Sequence, residues 1–264
     1  MLIKNFKTLQ LEKVQENILV VRLNRPEVRN AINSVMMEEL LELWQGVAAE
    51  HNKIRCLILT GVPPAFCAGA DLKERSNLSL DIWRKQHVPL EESMLAMVEC
   101  PMPIISAVNG AAFGGGLELV LSSDFAYAAN TAMFAQSEVK VGLMAGALGT
   151  QQLPKACGIK RAKELAFTGM SFTAEQACEW GIVNKVCAAD KLWDEVLAVA
   201  KVISENAPLA VRQTKKAMNM SQELDIRSGY LYELEAYYRL LPTKDREEGI
   251  KAFNEKRKAD YVGE

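Results

Sequence analysis

The chain has 264 residues, 49% of them hydrophobic and 24% charged, with a formal net charge of −2. That is the mix of a globular protein with a large core, built as one large domain or as a domain with an appendage. The balance supplies no global positive field to recruit nucleic acid or an anionic membrane.

The opening segment, MLIKNFKTLQLEKV, has no long apolar run and no small-residue cleavage site, and it is not rich in Arg and Ser. It reads as neither a signal nor a transit peptide. No apolar stretch reaches ~18 residues, so no membrane span is expected. These features point to the cytoplasm, or to an organelle matrix if a presequence has been removed. Residues 18–23 (ILVVRL) form a β-rich run that Asn24-Arg25-Pro26 ends. Asn33 or Ser34 can cap a helix running to about Glu50, with Val35, Leu40, Leu41, Leu43, Trp44 and Val47 at roughly helical spacing. Residues 56–60 (CLILT) and 104–108 (IISAV) read as buried strands, the first stopped by Gly61 and Pro63-Pro64.

A glycine-rich turn then opens an apolar helical stretch, LELVLSS, and residues 124–129 return as a strand. Strands alternating with helices predict an α/β fold with parallel pairing. From about Ile159 the pattern becomes helical. Thr173 and Gln176 make a capping box, Gly181 closes that helix, and a short strand, IVNKV, follows. Helices are predicted at about 190–204, 208–217, 221–241 and 244–257. Residues 1–200 read as the core. Residues 201–264 read as a helical region packed on it or on another subunit, since no flexible linker separates them.

Six cysteines (Cys56, Cys67, Cys100, Cys157, Cys178, Cys187) form no C-x-x-C pair, and only two histidines occur, His51 and His87. The pattern argues against a zinc site and a disulfide framework, and predicts scattered, mostly buried thiols and no metal. His51 at a helix end and His87 in a polar stretch read as surface residues. Cys67 has no basic partner nearby, and no G-x-S-x-G is present, so nucleophilic triad chemistry fits poorly.

Three segments carry the chemistry: residues 65–71 (AFCAGAD), 114–118 (GGGLE) and 134–138 (FAQSE). The triple glycine lies between a strand and a helix. Its free N–H groups can hold a developing anion, or the glycines can simply permit close packing; spacing alone leaves both readings open. Glu118 is a carboxylate among Leu117, Leu119, Val120 and Leu121, which invites a perturbed pKa or marks a helix start. Glu138 precedes VKVGL and alone reads as a surface residue. Together the two glutamates resemble the paired carboxylates of acid/base catalysis.

With LNRPEVRNAIN, LILTG, AFCAGADLKE, ISAVNGAAFGGGLELVLSSDF, FAQSEVKVGL, FTGMSFTAEQACEWGIVNKV and EGIKAFNEKR in order, the chain resembles the crotonase (enoyl-CoA hydratase/isomerase) family from end to end. The resemblance implies a spiral of ββα units, a C-terminal helical region that closes the CoA site and supports oligomerisation, and trimers or dimers of trimers. It implies an oxyanion hole from the N–H groups of Ala70 and Gly115, catalytic roles for Glu118 and Glu138, and CoA contacts from Ala68, Asp71, Phe253 and Lys256. It implies an acyl-CoA thioester substrate with no separate cofactor, and hydration of a 2-enoyl-CoA in fatty-acid or branched-chain degradation. Methylglutaconyl-CoA hydration, enoyl-CoA isomerisation and a silent acyl-CoA-binding role are the alternatives. Where the family commonly has P-G-A-G-G-T, this chain has residues 145–150 (AGALGT), placing Leu148 beside the implied water site and acyl pocket. The C-terminus looks most like a branch with RNA-binding members that use a lysine-rich first helix. Here that helix carries Glu38, Glu39, Glu42 and Glu50 and no lysine, so no nucleic-acid partner is predicted.

Overall fold

The computed structural model describes residues 5–50, 53–76 and 78–264, so His51 lies outside the described residues. The first half of the chain runs β1 (Leu9–Gln15), β2 (Ile18–Leu23), α1 (Ser34–Ala49), β3 (Cys56–Gly61), α2 (Leu72–Arg75), α3 (Leu80–Val98), β4 (Ile104–Val108), β5 (Ala112–Phe113), α4 (Gly115–Ser122), β6 (Phe125–Ala129) and β7 (Met133–Ala135). It continues with α5 (Gly149–Cys157), α6 (Ile159–Thr168), β8 (Phe172–Thr173), α7 (Ala174–Glu179), β9 (Lys185–Cys187), α8 (Leu192–Glu205), α9 (Pro208–Met220), α10 (Ile226–Tyr238) and α11 (Lys244–Glu255). This is an α/β architecture followed by helices.

The main sheet has the order β1-β2-β3-β4-β6-β9, parallel except for the antiparallel β1–β2 hairpin. Successive side chains of a strand face opposite ways, and both faces here are covered. Leu19, Val21, Leu23, Leu57 and Leu59 join the core under α1, where Met36, Leu40, Leu43 and Trp44 are buried. Ile18, Val20, Cys56 and Ile58 face the other way, against Leu192, Val196 and Ala200 of α8. That two-sided burial is why β2 and β3 read as continuous apolar runs.

Asn33 caps α1 by accepting from Met36 N at 3.0 Å, and Thr173 and Gln176 cap α7 reciprocally. Three stretches depart from the sequence reading. The helix expected from residue 221 begins at Ile226, because the Asp225 carboxylate accepts from the N–H groups of Arg227 and Ser228. The strand expected at IVNKV shrinks to β9, because Ile182 and Val183 donate back to Ala177 O after α7. Helix α3 was not expected: Pro89 sits inside it and charged residues interrupt its apolar face.

A second sheet, β5-β7-β8, positions the chemistry. Parallel β5 and β7 end side by side, with Phe113 opposite Ala135. The chain leaves β5 into the glycine turn and leaves β7 into Gln136 and Glu138, so both glutamates emerge at the same end of the sheet.

Candidate active site

Glu118, Glu138, Ala70 and Gly115 line one cavity of about 210 Å³. Residues 65–71 reach it because Cys67 is stitched to β5: its N–H donates to Ala111 O at 2.9 Å, and its carbonyl accepts from Phe113 N at 3.0 Å. The buried Asn30 side chain braces the same loop by donating to the carbonyls of Val62 and Ala65, 2.8 Å each. Ile32 bridges Ala70 in a parallel register that uses the N–H groups of Ile32 and Asp71, leaving that of Ala70 unengaged among the described residues. Gly115 opens α4, and its N–H is likewise unengaged, as first-turn donors are. Two free donors from separate turns thus face a common space, the arrangement that stabilises a developing oxyanion.

Gly114 has φ +52°, and a Cβ there would lie 2.9 Å from Glu138 Oε1. Only glycine lets the turn and the carboxylate share this space.

Glu118 is 3% exposed. Its Oε1 accepts from Ala147 N and Gly149 N, 2.8 Å each, at the N-terminus of α5. Burial pushes its carboxyl up to about 7; the two N–H bonds oppose that rise, and the Glu138 charge adds to it. Glu138 begins the 3₁₀ turn Glu138–Val141, and Gln136 Nε2 donates to both its oxygens at 3.0 Å. Gln136 is itself buried. Each carboxylate is held by its own amide donors, which fix both groups on the cavity wall.

This shift has a consequence for stability. The folded Glu118 carboxyl titrates near 7, above its ordinary 4.5. Between those values the native state binds more protons than the unfolded chain, so its contribution is complete below 4.5 and is lost as pH rises through 7. At about 1.4 kcal/mol per pH unit, Glu118→Gln is expected to gain about 3 kcal/mol relative to wild type between pH 4.5 and pH 8. Urea unfolding of both proteins at both pH values reads this difference; a difference independent of pH refutes it.

The remaining sequence-predicted residues are placed differently. Ala68 is half-buried beside Cys67, and its N–H donates to Arg29 O at 3.0 Å. Asp71 caps α2 and pairs with Arg25 at 3.0 Å, so both carboxylate oxygens clamp the loop from inside the chain. Phe253 is 82% exposed on α11, Lys256 caps that helix in the left-handed region, and neither lines the cavity. Leu148 also does not line it. Its side chain packs half-buried on the core, and its backbone sits at φ +72°, where glycine is at ease. It nonetheless sits between Ala147 and Gly149, whose N–H groups hold Glu118.

Among the described residues no cluster of three or more His, Cys, Asp or Glu could hold a metal ion, and no helix is long and apolar enough to cross a membrane. All six cysteines are free. Cys67 is fully buried and burial pushes its thiol up to about 12, which removes it as a nucleophile.

His87 was misread as a surface residue. It lines the cavity, stacked on Trp83 with ring centroids 4.8 Å apart. Burial and then the Arg75 charge push its pKa below the ordinary value, so its 3.9 Å approach to Glu91 is no strong ion pair near neutral pH. Arg75 and Gln136 were also missed. No local signal announces Gln136; its role exists only where β7 brings it under Glu138.

A family model described as enoyl-CoA hydratase/isomerase matches residues 13–264. The chain is 40% identical over 254 residues to enoyl-CoA hydratase domain-containing protein 2, mitochondrial, of Mus musculus, covering 94% of this chain and 85% of that one. It is 35% identical over 260 residues to the mitochondrial enoyl-CoA hydratase of Pongo abelii, covering 97% and 88%. The crystal structure of enoyl-CoA hydratase from Bacillus anthracis superposes with TM-score 0.95 at 37% identity, covering 98% of this chain and all of that one.

Proposed function

Since the chain belongs to the enoyl-CoA hydratase/isomerase family and has its crotonase-like fold, we propose that it hydrates a trans-2-enoyl-CoA to the 3-hydroxyacyl-CoA. The observation that carries this reading is the pair Glu118 and Glu138 beside two free N–H groups in one cavity. The N–H groups of Ala70 and Gly115 take the thioester oxygen, drawing electron density from C3 and stabilising the enolate that forms. Water held by the carboxylates adds its oxygen to C3 and loses a proton to the pair. C2 then receives a proton from the pair, so H and OH are added in balance. The value near 7 for Glu118, raised first by burial, keeps a proton available at neutral pH.

CoA enters as part of the substrate and no other cofactor is invoked. We assign residues 201–264 to oligomerisation, in a trimer or a dimer of trimers, with Phe253 and Lys256 reaching the CoA nucleotide of a neighbouring subunit. The exposure of Phe253, and of Ile226, Tyr230 and Leu231 on α10, supports a covering subunit there. Fatty-acid or branched-chain degradation, in the cytoplasm or an organelle matrix, is the matching setting.

The test is crotonyl-CoA in ¹⁸O-labelled water. Loss of enone absorbance with one labelled oxygen in the product supports hydration. Conversion of a 3-enoyl-CoA to the 2-enoyl-CoA without oxygen uptake, and no hydration, establishes isomerisation instead.

Leu148→Gly follows from the same reading. It relieves a left-handed leucine, a gain of about 1–2 kcal/mol. It also removes a half-buried side chain, a loss of about 1.5 kcal/mol or more. The two nearly cancel, so the midpoint of urea unfolding should move little. The ratio of kcat/KM for short against branched enoyl-CoAs should stay within ~2-fold, because the side chain does not face the cavity. A ratio shifted tenfold returns Leu148 to the acyl pocket.

A further inference from the structure

A second cavity, of about 200 Å³, opens between α5 and α6, and among the described residues it shares no lining residue with the active site. It does border the two residues that hold the catalytic carboxylates in place. Gln136, which donates to Glu138, and Gly149, which donates to Glu118, both line it. These two are buried, Gln136 being 2% exposed, and so form its inner end. Leu153 and Ala162 are buried along its walls, whereas Ile159 and Phe167 are exposed at its mouth.

The inner end carries an acceptor that nothing satisfies. Gln136 Nε2 donates to both oxygens of Glu138 at 3.0 Å, which turns Oε1 away from that carboxylate. Oε1 lies beside Gly149, where an added Cβ would stand 3.0 Å from it. The Gly149 N–H is committed to Glu118 at 2.8 Å, and among the described residues Gln136 Oε1 is buried with no hydrogen-bond partner. A buried acceptor left unmade costs free energy, so the position favours an incoming donor. Water is poorly suited to supply it, because a buried water needs two or more polar partners and the walls of Leu153, Pro154, Ala162 and Ala166 present carbon. A dry cavity of about 150 Å³ takes a benzene ring, so this one has room for a ring and one polar atom.

We propose that this cavity binds a small neutral alcohol or phenol, its apolar body between α5 and α6 and its hydroxyl donating to Gln136 Oε1. A carboxylate brings only acceptors to that oxygen, and an ammonium loses its hydration among apolar walls. Lys163 also lines the cavity but is exposed, so its ammonium stays in water at the mouth. The ligand and Glu138 are then held by opposite ends of one amide. The site rests on no reading of the reaction, because its recognition chemistry involves neither carboxylate.

Phenol and toluene have the same ring and nearly the same size, and only phenol has a donor. In a purely apolar cavity toluene binds better, because it leaves water more readily. Calorimetric titration of the full-length protein should show the reverse, with phenol at least ~5-fold tighter, the scale of one satisfied buried acceptor. Gln136→Met keeps the length of the side chain and removes the acceptor, so it should restore the preference for toluene. Ala166→Leu fills the cavity from its other wall and should abolish binding of both. Thermal unfolding of each variant confirms that it is folded. Should Gln136→Met fail to fold, Ala166→Leu and the wild-type order of the two ligands still decide the matter. Toluene binding as tightly as phenol in the wild type overturns the proposal, as does binding of neither, the result expected if a water or a second copy of the chain fills the cavity. Phenol affinity unchanged in both variants places the ligand elsewhere and overturns it too.

Discussion

Glu118→Gln and Glu138→Gln should each lower kcat by at least ~10²-fold, the usual share of a positioned acid or base. The two substitutions differ in what else they disturb. At position 118 a glutamine oxygen can still accept from Ala147 N and Gly149 N, so the side chain keeps its place and loses only proton transfer. At position 138 Gln136 Nε2 donates to both carboxylate oxygens, and a glutamine there sets one NH₂ against another. Glu138→Gln should therefore also misplace its side chain and be the more damaging of the two. On the hydration reading both groups act on one water and one proton, so the double variant should cost much less than the product of the singles. Affinity for a saturated acyl-CoA should be largely kept. Steady-state hydration of crotonyl-CoA checks each point, and a single variant with near-wild-type kcat removes that glutamate from the mechanism.

What could be read from sequence was local chemistry or a strong period. Asn33, the Thr173–Gln176 box and the apolar runs of β2 and β3 act within a few residues of themselves, so their signals survive without the fold. The glycine turn was visible as a turn for the same reason, while its spacing left open whether it serves a ligand or only permits close packing. The juxtaposition of Glu118 with Glu138 was only a possibility of spacing. It becomes a fact through the parallel pairing of β5 with β7, strands of two and three residues that have no periodicity to detect. Helix α3 was hidden by Pro89 and by charges around its surface, and with it went the cavity positions of Trp83 and His87. At Leu148 the departure from a family glycine was visible in the sequence, but the left-handed backbone that also favours glycine there was not.

Gly116→Ala should be among the most damaging single changes outside the carboxylates. A Cβ at Gly116 would lie 2.2 Å from Cys67 O and 3.0 Å from Cys67 C, both rigid backbone atoms. Cys67 cannot yield, because its N–H and carbonyl are both bonded to the β5 segment, at 2.9 Å to Ala111 O and 3.0 Å from Phe113 N. Helix α4 cannot yield freely either, since it is packed by the buried Leu117, Leu119 and Val120. Any relief must widen the gap between the 65–71 loop and α4, the gap across which Ala70 and Gly115 present their donors. Overpacking of this kind costs about 1–3 kcal/mol, which should appear as a lower urea midpoint. Activity should fall further than stability explains, because one misplaced oxyanion donor is worth ~10²–10³ in kcat. The folded fraction of Gly116→Ala, purified and assayed on crotonyl-CoA, should thus show kcat lowered at least ~10²-fold with both carboxylates intact. Wild-type kcat in that fraction would mean that the contact between Cys67 and α4 does not hold the oxyanion donors, and the positioning argument for the glycine turn would fail with it.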